Sequence, residues 1–195
     1  MMDTRWNDTS VASISCREQL PFLLNHLGLC GIAVEVGVEW GQFSDHILRY
    51  WHGRLLYSVD PWNTQPLHLY NDLCNVPAQE QEARFRYASA LLGSYGPRSS
   101  ILRACSVQAS QGFPNASIDC VYLDGNHAYQ SVMADLANWY PKVRPGGLMC
   151  GHDYVDGVGD AVYGVKSAVD FFFSGLRRCV HATQEPVAKS WLVRV

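Results

Sequence analysis

"IAVEVGVEWGQFS", Ile32–Ser44, runs from a β-branched apolar segment into two glycines four residues apart, Gly37 and Gly41, and then into helical spacing. The order is strand, tight turn, helix. Glycines in such a turn let the backbone bend sharply and approach a ligand, while the following helix start offers unpaired N–H groups. The spacing is not the G-x-G-x-x-G dinucleotide fingerprint, and Glu35 ahead of Gly37 would repel a pyrophosphate. An acid there better suits a ligand carrying an ammonium group. A glycine turn needed only for packing accounts for the same residues.

The unit repeats outward along the chain. Short runs rich in Val, Ile, Leu and Tyr alternate with stretches at helical spacing, the pattern of βαβ units and a mainly parallel sheet. Strands are expected at 32–37, 54–60, 100–105, 118–124, 147–153, 177–183 and 190–195. Apolar stripes at i, i+4, i+7 and i+8 (Phe43, Ile47, Tyr50, Trp51; Val132, Leu136, Trp139, Tyr140; Val165, Val169, Phe172, Phe173) predict helices docked on that sheet. Further helices are expected at 17–27 and 78–92, and Pro145-Gly146-Gly147 is expected to break the chain between helix and strand. The last two strands, with no long helix between them, predict a closing hairpin with one antiparallel strand. The fold expected is α/β and doubly wound: a seven-stranded, mainly parallel sheet with a C-terminal antiparallel hairpin strand.

Composition narrows the function classes. The chain has 195 residues, 48% hydrophobic and 17% charged, with a net charge of −3; this describes one ordinary globular domain, expected over 16–195 behind a flexible arm at 1–15. No basic stripe points to nucleic acid. No apolar run approaches the roughly 20 residues of a membrane span, and the first fifteen residues lack a signal-peptide core, so a cytoplasmic location is expected. The seven cysteines never form a C-x-x-C pair and read as thiols, Cys120 and Cys150 as small buried hydrophobes. A homodimer is one expectation for aromatics such as Trp6 and Phe171.

Ligands in doubly wound sheets bind at the carboxyl ends of the strands, so the residues just past each strand are the candidates. Asp60 can accept bonds from both hydroxyls of a ribose. Trp62 can cover an adenine face or fill a loop, and Ser106 can meet an adenine edge or cap a short helix. "LDGNHAYQ", Leu123–Gln130, supplies Asp124 and His127, and "GHDY" on the next strand supplies His152 and Asp153. Carboxylates with imidazole suit a divalent cation, and an imidazole can act as a base near neutral pH. The plainer account makes Asp124 a helix cap and His127 a solvated first-turn residue, but it leaves the neighbouring His-Asp unexplained.

"EVGVEWG", the acid of "SVDPW", the block from Ile118 to Tyr154 and the later "GVKSAV" together resemble class I S-adenosylmethionine-dependent methyltransferases, with a Rossmann-like fold. Within them the chain is similar to small-molecule O-methyltransferases of the macrocin and mycinamicin group, and more distantly to catechol O-methyltransferase. The resemblance implies methyl transfer from S-adenosylmethionine to a hydroxyl of a sugar, phenol or polyketide, assisted by a divalent metal. It assigns Glu35, Gly37, Gly41 and Ser44 to the loop around the methionine part of the cofactor and Asp60 to the ribose. Trp62, Ser106 and Asp124 join the cofactor contacts. Asp124, His152 and Asp153 become metal ligands, with Asp124 and His127 catalytic and His127 the base. One oxygen ligand of the family is here an imidazole, His152, which favours an ion softer than magnesium or no ion. The alternatives are a catalytically inactive cofactor-binding protein and a nucleotide-binding oxidoreductase. A small hydroxylated acceptor is the expected partner, with no nucleic acid and no membrane.

Overall fold

The computed structural model describes residues 14–68, 70–158 and 161–195. The expected arm therefore falls largely outside the described residues, as does Trp6; Ile14, within it, is buried in the core. A 3-10 turn at Arg17–Gln19 leads into α1 (Leu20–His26), then β1 (Ile32–Val36), α2 (Gln42–Tyr50), β2 (Leu55–Asp60), α3 (Ala78–Gly93), β3 (Ser99–Arg103), α4 (Ser106–Ser110), β4 (Ile118–Leu123), α5 (Tyr129–Trp139) and β5 (Val143–Gly151). A small hairpin of β6 (Asp156–Val158) and β7 (Ala161–Gly164) precedes α6 (Val165–Gly175), β8 (His181–Ala182) and β9 (Trp191–Arg194).

Seven strands form one sheet in the order β3-β2-β1-β4-β5-β9-β8. The pairs from β3 to β5 are parallel, while β9 runs antiparallel to both β5 and β8. This is a Rossmann-like, doubly wound architecture with the expected C-terminal antiparallel strand.

Alternation along the strands splits the core in two, because successive side chains of a strand point to opposite faces. Ala33, Leu56, Cys120, Tyr122, Leu148 and Cys150 meet α1, α2 and α3 through Leu24, Phe43, Ile47 and Leu92. Val34, Val36, Val121, Leu123 and Met149 meet α5 and α6 through Val132, Leu136, Trp139, Val169 and Phe173. Each large apolar side chain so buried contributes roughly 1.5–3 kcal/mol. Both faces are covered, which is why the central strands read as nearly continuous apolar runs. All seven cysteines are free, with the Cys120 and Cys150 sulfurs 3.5 Å apart in the core.

Several expectations change. Tyr50 is exposed, and Leu48 takes its place on the buried face of α2. Pro145-Gly146-Gly147 does not break the chain before β5 but lies within it. The β4 register shifts between Ile118 and Cys120, so the extra residues bulge out at a place where the proline needs no ladder bond. The strand expected at 177–183 shrinks to two residues. The β6–β7 hairpin is an addition to the strands expected.

Candidate functional site

The strand order reverses between β1 and β4, whose chain connections leave toward opposite ends of the sheet. A cleft of about 610 Å³ opens at their carboxyl ends, where the topology leaves a crevice. Glu35, Gly37, Asp60, Ser106, Asp124, His127, His152 and Asp153 all line it; Gly41, Ser44 and Trp62 do not.

One half of the cleft is built from backbone. Gly37 has φ +86°, and a Cβ there would stand 1.9 Å from the Asp124 carbonyl oxygen. Its glycine is thus demanded by the turn after β4, which presses against the turn after β1, rather than by a ligand. Gly41, φ +81°, starts α2 in a left-handed conformation and packs on Ala88 of α3. Asp60 accepts N–H bonds from Val38 (2.8 Å) and Glu39 (3.0 Å) on one oxygen and from Trp62 (2.7 Å) on the other. It uses three of about four acceptor sites and shapes the glycine turn. Glu35 is buried and accepts a hydrogen bond from Ser44, whose hydroxyl also meets that of Ser58. Burial pushes the Glu35 carboxyl up to about 8, against the Ser44 bond that favours its charged form. Trp62 as a cover for adenine is corrected: its ring sits in the core 5.1 Å from Phe85, and its Nε1 donates to the Glu39 carbonyl. Ser44 is likewise a buried support for Glu35.

Ser106 does not cap α4, whose cap is Cys105 without a side-chain bond. Its hydroxyl donates to Asp135 and accepts from Trp139 Nε1 (2.8 Å). Burial raises the Asp135 carboxyl to about 6, opposed by that Ser106 bond.

The other half is built from side chains. Asp124, His152 and Asp153 offer ligand atoms that all lie within 4.8 Å of one another, the same three residues that the sequence marks for a metal. Two carboxylates and one imidazole are a mixed donor set, better suited to manganese, iron or zinc than to magnesium. Asp153 adopts φ +48°, an uncommon conformation, held where His152 N–H bonds the Leu123 carbonyl and Tyr154 N–H the Lys189 carbonyl. Asp124 does not cap α5; it pairs with Arg17 at 3.1 Å, and Asn126 accepts the Ala128 N–H instead. Nor is His127 solvated. It is 9% exposed, with Nε2 at 3.1 Å from Asp153 and 3.6 Å from Asp124. Neither contact is aligned as a hydrogen bond, so this buried nitrogen meets the two carboxylates as ion-pair contacts. Burial works against a charged ring, yet the Asp124, Asp153 and Asp72 carboxylates outweigh it and push His127 up to about 11.

Three residues of this half escape sequence reasoning. Arg17 reaches Asp124 from the first helical turn, Asp72 reaches His127 from the segment between β2 and α3, and Tyr163 arrives from β7. None has a local motif; each is brought in by a contact across 55 residues or more.

Residues 34–154 match the family model described as a methyltransferase domain. The chain belongs to this family. Solved structures show the same fold for this methyltransferase. It is similar to an O-methyltransferase family protein of Burkholderia thailandensis (TM-score 0.63, 10% identity, 91% of this chain and 54% of that one). It is also similar to the 1,6-didemethyltoxoflavin-N1-methyltransferase of the same organism, bound to S-adenosylhomocysteine (0.59, 14%, 91% and 76%). An rRNA methylase of Streptococcus thermophilus is a third (0.58, 12%, 89% and 95%). A stretch of 55 residues is 36% identical to the uncharacterized protein y4gI of Sinorhizobium fredii (strain NBRC 101917 / NGR234), covering 28% of the methyltransferase and 6% of that protein. No helix among the methyltransferase's described residues is long and apolar enough to cross a membrane.

Proposed function

We propose that this S-adenosylmethionine-dependent methyltransferase methylates a hydroxyl group of a small molecule with the help of a divalent cation. The observation that carries the reading is the convergence in one cleft of Glu35 and Asp60 on one side with Asp124, His127, His152 and Asp153 on the other. The cleft's volume suits a nucleoside cofactor with room beside it. Buried Glu35 is an acid awaiting a cation, and an ammonium group of a methionine moiety supplies one.

S-adenosylmethionine, when bound, supplies a methyl group made electrophilic by its sulfonium. Asp60 holds the ribose through its remaining acceptor site, and Glu35 takes the ammonium. Asp124, His152 and Asp153 would hold the cation, which would supply positive charge next to a hydroxyl oxygen and next to the carboxylates around His127. His127 takes the hydroxyl proton at Nε2, the nitrogen that faces Asp124 and Asp153. Alignment in the cleft contributes much of the acceleration. Glu35, Glu39, Asp60, Asp72, Asp124, Asp135 and Asp153 outnumber Arg17 and Arg84 along the cleft wall, which disfavours a polyanionic acceptor such as RNA.

The test incubates the full chain with methyl-labelled S-adenosylmethionine and a panel of catechols, sugars and hydroxylated polyketides, with Mn2+, Mg2+ or chelator. A methyl ether should form, disappear with chelator and return with Mn2+. H127A should lower turnover by about 10²–10⁴ while S-adenosylhomocysteine binds as before. Tight S-adenosylhomocysteine binding with no product from any acceptor would instead make the chain a cofactor-binding protein.

A further inference from the structure

Asp72 lies between β2 and α3, has no part in the chemistry above, and is nearly sealed from solvent, its side chain 4% exposed. Its Oδ1 accepts the Cys74 N–H at 2.8 Å, which fixes the carboxylate on its own loop. Its Oδ2 accepts two side chains from elsewhere, the His127 Nδ1–H at 3.0 Å and the Tyr163 hydroxyl at 2.8 Å. The Tyr163 ring in turn stacks on the His127 ring, centroids 4.4 Å apart and 26° from parallel. The next residue, Gly164, donates its N–H to the His127 carbonyl at 2.9 Å. The imidazole is thus held at its backbone, its face and one nitrogen by two segments remote in sequence.

Here Nδ1 is bonded to Asp72, whereas Nε2 makes no aligned hydrogen bond among the described residues and faces Asp153 at 3.1 Å and Asp124 at 3.6 Å. Asp72 anchors Nδ1 as a donor, and the ring is thereby turned so that Nε2 points to the strand-end carboxylates that line the cleft.

We propose that Asp72 is the positioning carboxylate of His127, with Tyr163 as the clamp that holds both, so that Nε2 is the nitrogen presented to the acceptor hydroxyl. The inference rests on the proposed O-methyl transfer. In that step the hydroxyl proton moves to Nε2, giving an imidazolium whose Nδ1–H stays on Asp72. The oxygen forms its bond to the methyl carbon as the carbon–sulfur bond breaks, and the electron pair remains on sulfur as a neutral thioether. Asp72 exchanges no proton. The two segments that bring Asp72 and Tyr163 also wall the cleft, so seating them would couple acceptor entry to the orientation of the base.

The experiment compares the full chain with D72N, D72E and Y163F in three readouts. The first is the low-field proton resonance of the hydrogen-bonded His127 Nδ1–H, identified by its loss in H127A. The second is S-adenosylhomocysteine affinity by calorimetry. The third is kcat and KM with whichever catechol, sugar or polyketide of the panel is turned over. D72N should shift or abolish the resonance and lower kcat by about 10–100-fold, the usual range for a supporting partner, with S-adenosylhomocysteine affinity and acceptor KM within about twofold of the parent. D72E should recover part of kcat, and Y163F should lose less than D72N. A D72N protein that folds with an unchanged resonance and unchanged kcat overturns the inference and leaves methyl transfer standing. If no acceptor is turned over, methyl transfer itself falls, and a resonance unaffected by D72N still overturns the placement of Nδ1 on Asp72. A loss of cofactor affinity equal to the loss of kcat would make Asp72 a structural residue and sink the proposal.

Discussion

The two sides of the cleft are made differently. The side around Glu35, Gly37 and Asp60 is assembled from two adjacent strands and held by main-chain N–H groups donated to one carboxylate. The side around His127 gathers Arg17, Asp72, Asp124, Asp153 and Tyr163, five side chains from five separate segments. Backbone-built sites depend on turns and tolerate little change in main-chain path, whereas side-chain-built sites can lose one member and keep the rest. The two meet at a single point, where Gly37 lies against the Asp124 carbonyl and the Asp124 N–H donates to Val36 at 2.7 Å.

Breaking that point should have the largest effect. G37A places a Cβ on the Asp124 main chain at a positive φ, and since neither backbone can yield cheaply, the cost is at least the roughly 1–3 kcal/mol of a strained conformation. A large drop in Tm together with loss of S-adenosylhomocysteine binding is expected. A stable G37A that loses only one of the two sides would show that they are not locked together.

The next largest effect belongs to Asp60. D60A removes the acceptor for three N–H groups, each such charged bond contributing about 1.5–3 kcal/mol. Cofactor affinity should fall by tens of fold or more, while Mn2+ binding at the other side, followed by its electron spin resonance, changes little. Equal loss of Mn2+ would erase the distinction between the sides.

The smallest effect tests Glu35 through pH. Its folded carboxyl sits at about 8 against an ordinary value of 4.5, so between those values the folded chain holds more protons than the unfolded one. Stability of the cofactor-free protein therefore falls as pH rises through that window, by up to about 1.4 kcal/mol per pH unit, and is fully present only below it. E35Q should flatten this slope in denaturant melts, and the parent should release a proton on binding S-adenosylhomocysteine near pH 7. An unchanged slope in E35Q would place the titration elsewhere.

The same contrast explains what could be read in advance. Glu35, Gly37 and Asp60 were legible because each sits at a fixed offset from a strand whose apolar run is visible, and Asp124 and Asp153 because adjacent parallel strands end on one rim. Trp62 was misread: an aromatic after a strand end can point into the core or over a ligand, and position φ +41° turned it inward. Pro145-Gly146 was misread as a break because a bulge and a turn share the same residues. Asp72 lies between β2 and α3 and Tyr163 in β7, and no spacing singled either of them out.

Periodicity and strand-end chemistry, properties of neighbouring residues, were enough to determine the layered α/β sheet, its antiparallel closing strand and the rim on which Asp124, His127, His152 and Asp153 meet. Which nitrogen of His127 is anchored, that Gly37 answers to Asp124 and that Ser44 supports Glu35 were decided only by the tertiary structure. Those facts arise from packing between segments far apart in the chain, and a buried polar atom's partner is set by what the fold brings within about 3 Å.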